Sequence, residues 1–245
     1  MSEYPHSLLI SDLHLAESRP DLNQAFTQFC RDQAARAKAL YILGDLCDAW
    51  IGDDDDSPTA TLIRSNLKAL VEGGVEVYLM TGNRDFLIGK QLADDIGLTL
   101  LPDPSIHEIE GHRVLLMHGD SMCTGDQEYM AFRAQIQNPD TQAMLMSKSL
   151  DERRAIAAML RSQSKSANAN KAEDIMDVTE HEVVNALQNA GVNILIHGHT
   201  HRPAVHKLTL ENGNSATRYV LGDWDSSAWK ITVTASEIEL TEFNL

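Results

Sequence analysis

Leu40-Tyr41-Ile42-Leu43-Gly44-Asp45-Leu46 is the stretch on which the fold turns. Apolar, mostly β-prone residues run into a glycine and then a carboxylate. That is the pattern of a buried strand ending at a loop, with Asp45 at the strand's C-terminal edge. In open α/β sheets this edge is where ligands collect. The pattern recurs along the chain. Ser7 to Ile10 leads into Ser11-Asp12-Leu13-His14, and Val75 to Met80 leads into Thr81-Gly82-Asn83-Arg84-Asp85. A hairpin over Glu108 to Met117, turning at Glu110-Gly111, delivers His118-Gly119-Asp120. Asn193 to Ile196 delivers His197-Gly198-His199-Thr200-His201.

Between these strands the apolar spacing turns helical. Pro20-Asp21 opens a helix with Leu22, Phe26, Phe29 and Cys30 on one face and Asp21 expected as its N-cap. Another carries Leu62, Ile63, Leu67, Leu70 and Val71 inward and closes at Gly73-Gly74. Asp12, Asp45, Asn83 and His118 are spaced by 33, 38 and 35 residues, the lengths of single strand-helix-strand or similar units. His118 to His199 takes 81 residues, which leaves roughly 45 beyond one such unit. From about Gly125 to Gly191 strand signals vanish, so this excess reads as a helical insertion over the site. The expected division is an α/β core over 1–122 and 178–245, interrupted by a helical cap over 123–177. The tail alternates as strands, with a turn at Asn212-Gly213.

A chain of 245 residues can bury a core as one domain, or as one domain with an insertion. No apolar run approaches membrane-spanning length, and the first residues lack the pattern of an export signal. Cys30, Cys47 and Cys123 form no C-x-x-C, which points to reduced thiols in the cytoplasm. The net charge of −16 argues against a general nucleic-acid surface. It leaves room for an anionic substrate at a locally positive site.

The candidate metal ligands are Asp12, His14, Asp45, Asn83, His118, His199 and His201. A D-x-H or H-x-H alone carries little weight, but five ligand-bearing loops, each after a strand, form one constellation. Oxygen and nitrogen donors without thiolate suit Mn²⁺, Fe²⁺ or Zn²⁺ rather than an all-oxygen cage. Two divalent ions a few ångströms apart repel by about 19 kcal/mol at an effective dielectric near 20. A bridging carboxylate relieves this, and Asp45 is the expected bridge. Asp12, Asp45 and a bridging hydroxide leave one positive charge, which favours a phosphate ester or anhydride.

These motifs resemble those of the calcineurin-like metallophosphoesterases: D-x-H at Asp12 and His14, G-D at Gly44-Asp45, G-N at Gly82-Asn83, a lone His118, and G-H-x-H from Gly198 to His201. Trp50-Ile51-Gly52-Asp53-Asp54, Gly82 to Leu87, Met117 to Asp120 and His197 to His206 are similar to the branch that acts on UDP-linked diacylglucosamine. The resemblance implies a four-layer αββα sandwich with a helical cap. It implies Mn²⁺-dependent hydrolysis of the UDP-lipid pyrophosphate to UMP and the lipid 1-phosphate in lipid A biosynthesis, with attack on the UMP-side phosphorus. It places Asp12, His14, Asp45 and His201 on one Mn²⁺ and Asp45, Asn83, His118 and His199 on the other. Asp45, Asn83, Arg84 and His118 become the catalytic set. Substrate contacts fall on Asn83, Arg84, Asp126, Tyr129, Ser164, Asn168, Lys171 and His199. The implied partners are the UDP-lipid and the anionic cytoplasmic face of the inner membrane, met peripherally by a monomer, with no nucleic acid.

Arg84 stands where many phosphatases of this superfamily carry a His that assists the leaving group. An arginine cannot act as a general acid near neutral pH. A sugar 1-phosphate leaving group needs charge neutralisation more than a proton, so Arg84 fits a pyrophosphate. From Arg133 to Lys171 there are seven Lys/Arg and three Asp/Glu, and six of the nine Met lie between Met122 and Met176. A basic, Met-rich cap suits acyl chains and an anionic surface, although a Met stripe alone equally suits a helical-hairpin core. His6, His107, His112, His181 and His206 read as surface or structural residues. His197, Asp85 and Asp120 read as supports for ligands. Asp53 to Asp56 reads as a solvated acidic loop rather than a further cation site. A sibling acting on soluble nucleotides would need no apolar cap. A fold kept only as a binding scaffold would be expected to lose ligands, and none is missing.

Overall fold

The computed structural model describes residues 6–168 and 177–245, except for the side chains of 165–168. The described residues form two mixed sheets and seven α-helices. The first sheet contains β1 (His6–Ile10), β2 (Ala39–Leu43), β3 (Glu76–Met80), β4 (Thr99–Leu101), β10 (Ala228–Thr234) and β11 (Ile238–Phe243). Their order is β11-β10-β1-β2-β3-β4, parallel from β1 to β4 and antiparallel at β10 and β11. The second contains β5 (Ser105–Ile109), β6 (His112–Met117), β7 (Ile194–His197), β8 (Ala204–Thr209) and β9 (Ser215–Val220), in the order β5-β6-β7-β9-β8. Here β6, β7 and β9 are parallel.

The period-2 alternation of side chains builds the layers. Leu8, Ile10, Leu40 and Ile42 face the core shared with α1 (Pro20–Asp32), α2 (Pro58–Glu72) and α3 (Lys90–Ile96). Leu9, Tyr41 and Leu43 point the other way, into a core with Val114, Leu116 and Ile196 between the sheets. Leu115, Met117 and Leu195 meet α7 (Glu180–Ala190) through Val183 and Leu187. The layering is helix, sheet, sheet, helix. β2 is buried along its whole length, as a strand covered on both faces must be.

The first helix starts differently from its expected form. Arg19 is the N-cap residue and makes no side-chain cap, while Pro20 occupies the first turn, where no N–H is needed. Asp21 lies inside that turn and accepts hydrogen bonds from the Arg19 guanidinium. There its charge suits the helix's positive end. α3 and β4, short elements after the Asn83 loop, had no periodic signal strong enough to read. At the Glu110-Gly111 turn both residues adopt positive φ, as a tight hairpin requires.

The acidic loop 53–56 is not a free solvated run. Asp53 accepts from the Gly89 and Leu92 amides, capping α3 from a distance, and from the Trp50 indole. Asp54 pairs with Arg153 and Asp56 with Arg154. Both arginines lie on α6 (Leu150–Asn168), which follows α4 (Gln127–Ile136) and α5 (Pro139–Met146). Arg153 is 5% exposed, and its Nε also donates to the Lys148 carbonyl. Arg153→Ala is expected to cost about 1–3 kcal/mol, the loss of a buried charge-assisted cluster, and to loosen α6 locally. Amide hydrogen exchange should accelerate in α6 and stay unchanged in β2.

Candidate metal centre

Five loops at the C-terminal ends of β1, β2, β3, β6 and β7 converge on one spot. They are laced by backbone bonds: Asp12 N donates to Gly44 O at 3.1 Å, His14 N to Asp45 O at 3.1 Å, and Gly198 N to His118 O at 2.9 Å. Five of the ligand candidates, Asp12, His14, Asp45, His199 and His201, have φ between 50° and 68°. That left-handed region is strained for any residue with a Cβ. The motif glycines have a steric reason. A Cβ at Gly82 would strike the Asp45 carboxylate and backbone, and one at Gly198 would strike Asp12 and Ser11.

All seven ligand candidates come together. His14 Nε2 and His201 Nε2 lie 3.1 Å apart, and His201 Nε2 is 3.4 Å from Asp12 Oδ1. His118 Nε2 is 3.1 Å from Asn83 Oδ1 and 3.7 Å from Asp45 Oδ1. The His199 ring lies 5.0 Å from that of His118, centroid to centroid. Asp12 with His14 and His201, and Asp12 with Asp45 and His118, each place donor atoms close enough to share one cation. Asp12 is fully buried, yet among the described residues its Oδ1 has no hydrogen-bond partner. Its Oδ2 accepts from Ser11 Oγ at 2.6 Å and from the His199 amide at 2.9 Å. An orphaned buried carboxylate oxygen facing imidazole nitrogens is costly without a cation. The residues present therefore fit divalent metal.

The candidate ligands are themselves held. His118 Nδ1–H donates to the Leu43 carbonyl at 2.8 Å, which turns Nε2 toward the centre. Asp223 Oδ2 lies 3.3 Å from His201 Nδ1. Sequence reasoning missed Asp223, although Tyr219-Val220-Leu221-Gly222-Asp223 repeats the apolar-run, glycine, aspartate order of Tyr41 to Asp45. Asp85 accepts from the Gly82 and Leu46 amides, fixing the two loops that carry Asn83 and Asp45. Burial, with Asp45 beside it, pushes its carboxyl up to about 7. Asp120 accepts from Tyr129 OH and Arg133 Nε. His197 is fully buried on β7 and its Nδ1 pairs with the Gly198 carbonyl.

Without metal, protons balance the charge. Burial raises the Asp45 carboxyl, and the like charge of Asp12 adds to this. Burial would raise Asp12 too, but the His201, His118 and His14 rings hold it below the usual carboxylate range. Burial opposes charge on His118 and His201, yet the carboxylates around them raise the two imidazoles to about 9 and about 10. His199 is lowered to about 3 by burial and by His118. A histidine whose folded value is raised contributes stability fully below its unfolded value of 6.5 and loses it as pH rises through the folded one. Chelated protein is therefore expected to be less stable at pH 9.5 than at pH 6.5, read by chemical denaturation in EDTA. Metal affinity should rise over the same range as protons cease to compete.

The remaining expected site residues are spread around this centre. The Arg84 amide donates to Asp45 Oδ1 at 3.0 Å, and its Nη1 donates to Asp48 Oδ1 at 2.6 Å. The Tyr129 ring stands 5.4 Å from that of His199. Asp126 caps α4, accepting from the Tyr129 amide. Ser164 lines an apolar pocket between α6 and the core, whose lining also includes Asn83 and Arg84. Asn168 ends α6, but its side chain, like all of Lys171, lies outside the described residues. Trp50, Phe86, Phe132, Ile156 and Leu160 wall the pocket, and among the described residues no Met does. Met144, Met146 and Met159 are instead exposed, so the expected Met-lined groove is corrected to an aromatic and aliphatic one. Helical spacing of Arg153, Ile156, Ala157, Leu160, Arg161 and Ser164 could have revealed that face.

The sequence profile of the family described as Calcineurin-like phosphoesterase matches residues 6–203. A protein of Cellvibrio japonicus (strain Ueda107) named UDP-2,3-diacylglucosamine hydrolase is 50% identical over 98% of this chain and 100% of its own length. A protein of the same name from Escherichia coli O127:H6 is 47% identical over 97% of this chain and 98% of its own. Among solved structures, Vacuolar Protein Sorting 29 from Cryptosporidium parvum aligns over 98% of both chains, at 15% identity and a TM-score of 0.44.

Proposed function

This chain belongs to the calcineurin-like phosphoesterase family, and from that membership we propose that it hydrolyses the pyrophosphate bond of UDP-2,3-diacylglucosamine. The products are 2,3-diacylglucosamine 1-phosphate and UMP, in lipid A biosynthesis. Two near-full-length relatives bear the name of that hydrolase. The observation that carries the reading is the apolar pocket lined in part by Asn83 and Arg84, the first a ligand candidate and the second a neighbour of Asp45. A soluble nucleotide has no use for such walls, whereas acyl chains bury in them at about 0.8 kcal/mol per methylene.

The donor set suits two Mn²⁺ ions, one held by Asp12, His14, Asp45 and His201 and the other by Asp45, Asn83, His118 and His199. Bound there, they would act as Lewis acids and lower the pKa of water. The chain's own residues do the rest. Leu43 and Asp223 keep the His118 and His201 rings turned inward. Asn83, Arg84 and His199 face the phosphates, and Arg84 neutralises the departing sugar phosphate without donating a proton. Asp126, Tyr129, Ser164, Asn168 and Lys171 complete the substrate contacts. Attack falls on the UMP-side phosphorus, the sugar 1-phosphate being the stable anion to expel.

Residues 123–177 serve as the cap between core segments 1–122 and 178–245. No described helix is long and apolar enough to cross a membrane. The exposed Met144, Met146 and Met159 suit a monomer that meets the cytoplasmic face of the inner membrane peripherally. Hydrolysis in H₂¹⁸O with Mn²⁺ tests both substrate and direction. The expected result is UMP carrying the label. Absence of UMP would end the substrate reading, and label in the sugar phosphate would reverse the direction of attack.

A further inference from the structure

Asp48 carries two arginines at once. Its Oδ1 accepts from Arg84 Nη1 at 2.6 Å, and its Oδ2 accepts from Arg161 Nε at 3.0 Å, with Arg161 Nη2 2.9 Å from Oδ1. Arg84 belongs to the loop after β3, Arg161 to α6. Both guanidinium groups are largely buried, at 17% and 18% exposed, and both line the apolar pocket with Asn83 and Ser164. Arg84 Nε is buried and has no hydrogen-bond partner among the described residues, although it lies 3.3 Å from Asp45 Oδ2. The charges therefore alternate from the metal centre outward: Asp45, Arg84, Asp48, Arg161.

We propose that Asp48 is a positioning residue, which holds the Arg84 and Arg161 guanidinium groups side by side as a fork for the second phosphate of the substrate. The proposal rests on the diphosphate reading above. Two guanidinium groups that close repel each other unless a carboxylate lies between them. Once Asp45 is committed to cations, Asp48 alone serves two positive groups, and one unit of positive charge is left for an incoming phosphate. The carboxylate joins a core loop to a cap helix, so it also sets how far α6 stands from the metals. The N–H groups that Asp48 does not use stay free to meet phosphate oxygens in a planar, bidentate manner.

Charge on the departing phosphate grows as its bond breaks, so a fork lost there weakens the transition state more than the ground state. A mere tether between cap and core would act through substrate affinity and fold stability instead. The test uses the Mn²⁺-loaded full chain, with Asp48→Asn and Asp48→Glu. Calorimetry with inorganic pyrophosphate and with orthophosphate reads the fork without the lipid. Asp48→Asn is expected to weaken pyrophosphate binding by at least about 10-fold and orthophosphate by less than about 3-fold. For UMP release, kcat should fall about 10- to 100-fold while KM moves less than about fivefold. Asp48→Glu should restore both to within about threefold, since it keeps the charge.

Unchanged pyrophosphate affinity in Asp48→Asn overturns the proposal. So does an equal loss for both anions that Asp48→Glu does not rescue. If the wild type releases no UMP while Asp48→Asn still loses pyrophosphate selectively, the substrate reading falls and the fork stands. Should Asp48→Asn not fold, Arg161→Gln carries the same pyrophosphate measurement, and an unchanged affinity there counts against the fork.

Discussion

Asp45→Ala is expected to lower UMP release by about 10²- to 10³-fold, the scale set by removing one preorganised charge-stabilising group. The reason is geometric. Asp45 is 1% exposed at the end of β2, between Asp12 and His118 on one side and Arg84 on the other. No neighbouring carboxylate can take its place: Asp85 is committed to the Gly82 and Leu46 amides, and Asp48 to two arginines. Without Asp45, two divalent ions would share Asp12 as the one carboxylate left among the proposed ligands. Calorimetry with Mn²⁺ should then show at least one site lost. A variant that retains both sites and turns over at the wild-type rate would remove Asp45 from the centre.

Chelation of both proposed sites is expected to lower the melting temperature by about 10–20 °C. Binding at 100 times Kd contributes about 2.7 kcal/mol per site, and a domain of this size shifts by about 2–4 °C per kcal/mol. The effect should exceed that of an ordinary surface ion because of where the ligands originate. Asp12, His14, Asp45 and Asn83 follow strands of the first sheet, whereas His118, His199 and His201 follow strands of the second. Each proposed ion would tie the sheets together across the core formed by Leu9, Leu43, Leu116 and Ile196. Differential scanning calorimetry with and without EDTA measures this. A melting temperature indifferent to Mn²⁺ would mean that the centre does not bridge the sheets.

The strands that carry the centre were legible because each announces itself twice, by an apolar run and by the glycine-bounded ligand after it. The helices α4, α5 and α6 were legible only as excess length between His118 and His199. What escaped was set by partners distant in sequence. Asp53 looked like part of a charged run, yet it caps a helix that begins at Lys90. Asp21 looked like a cap, yet Pro20 had already taken the first turn and Arg19 the position before it. The Met residues drew attention by composition, but only burial separates a pocket wall from an outer face, and Met144 and Met159 are more than half exposed. Asp48 carried no motif at all. Its two arginines come from a loop and from a helix more than a hundred residues away.

The left-handed backbone at Asp12, His14, Asp45, His199 and His201 has an evolutionary reading. Glycine would adopt that conformation at no steric cost, while each side chain held there costs on the order of 1 kcal/mol or more. Selection for thermal survival alone, in the absence of metal, would drift these positions toward glycine or asparagine and yield hardier, inert descendants. Five such residues together carry backbone strain that fold stability alone does not call for. A lineage that stopped needing the chemistry would be expected to surrender them first, well before the strands beneath had changed.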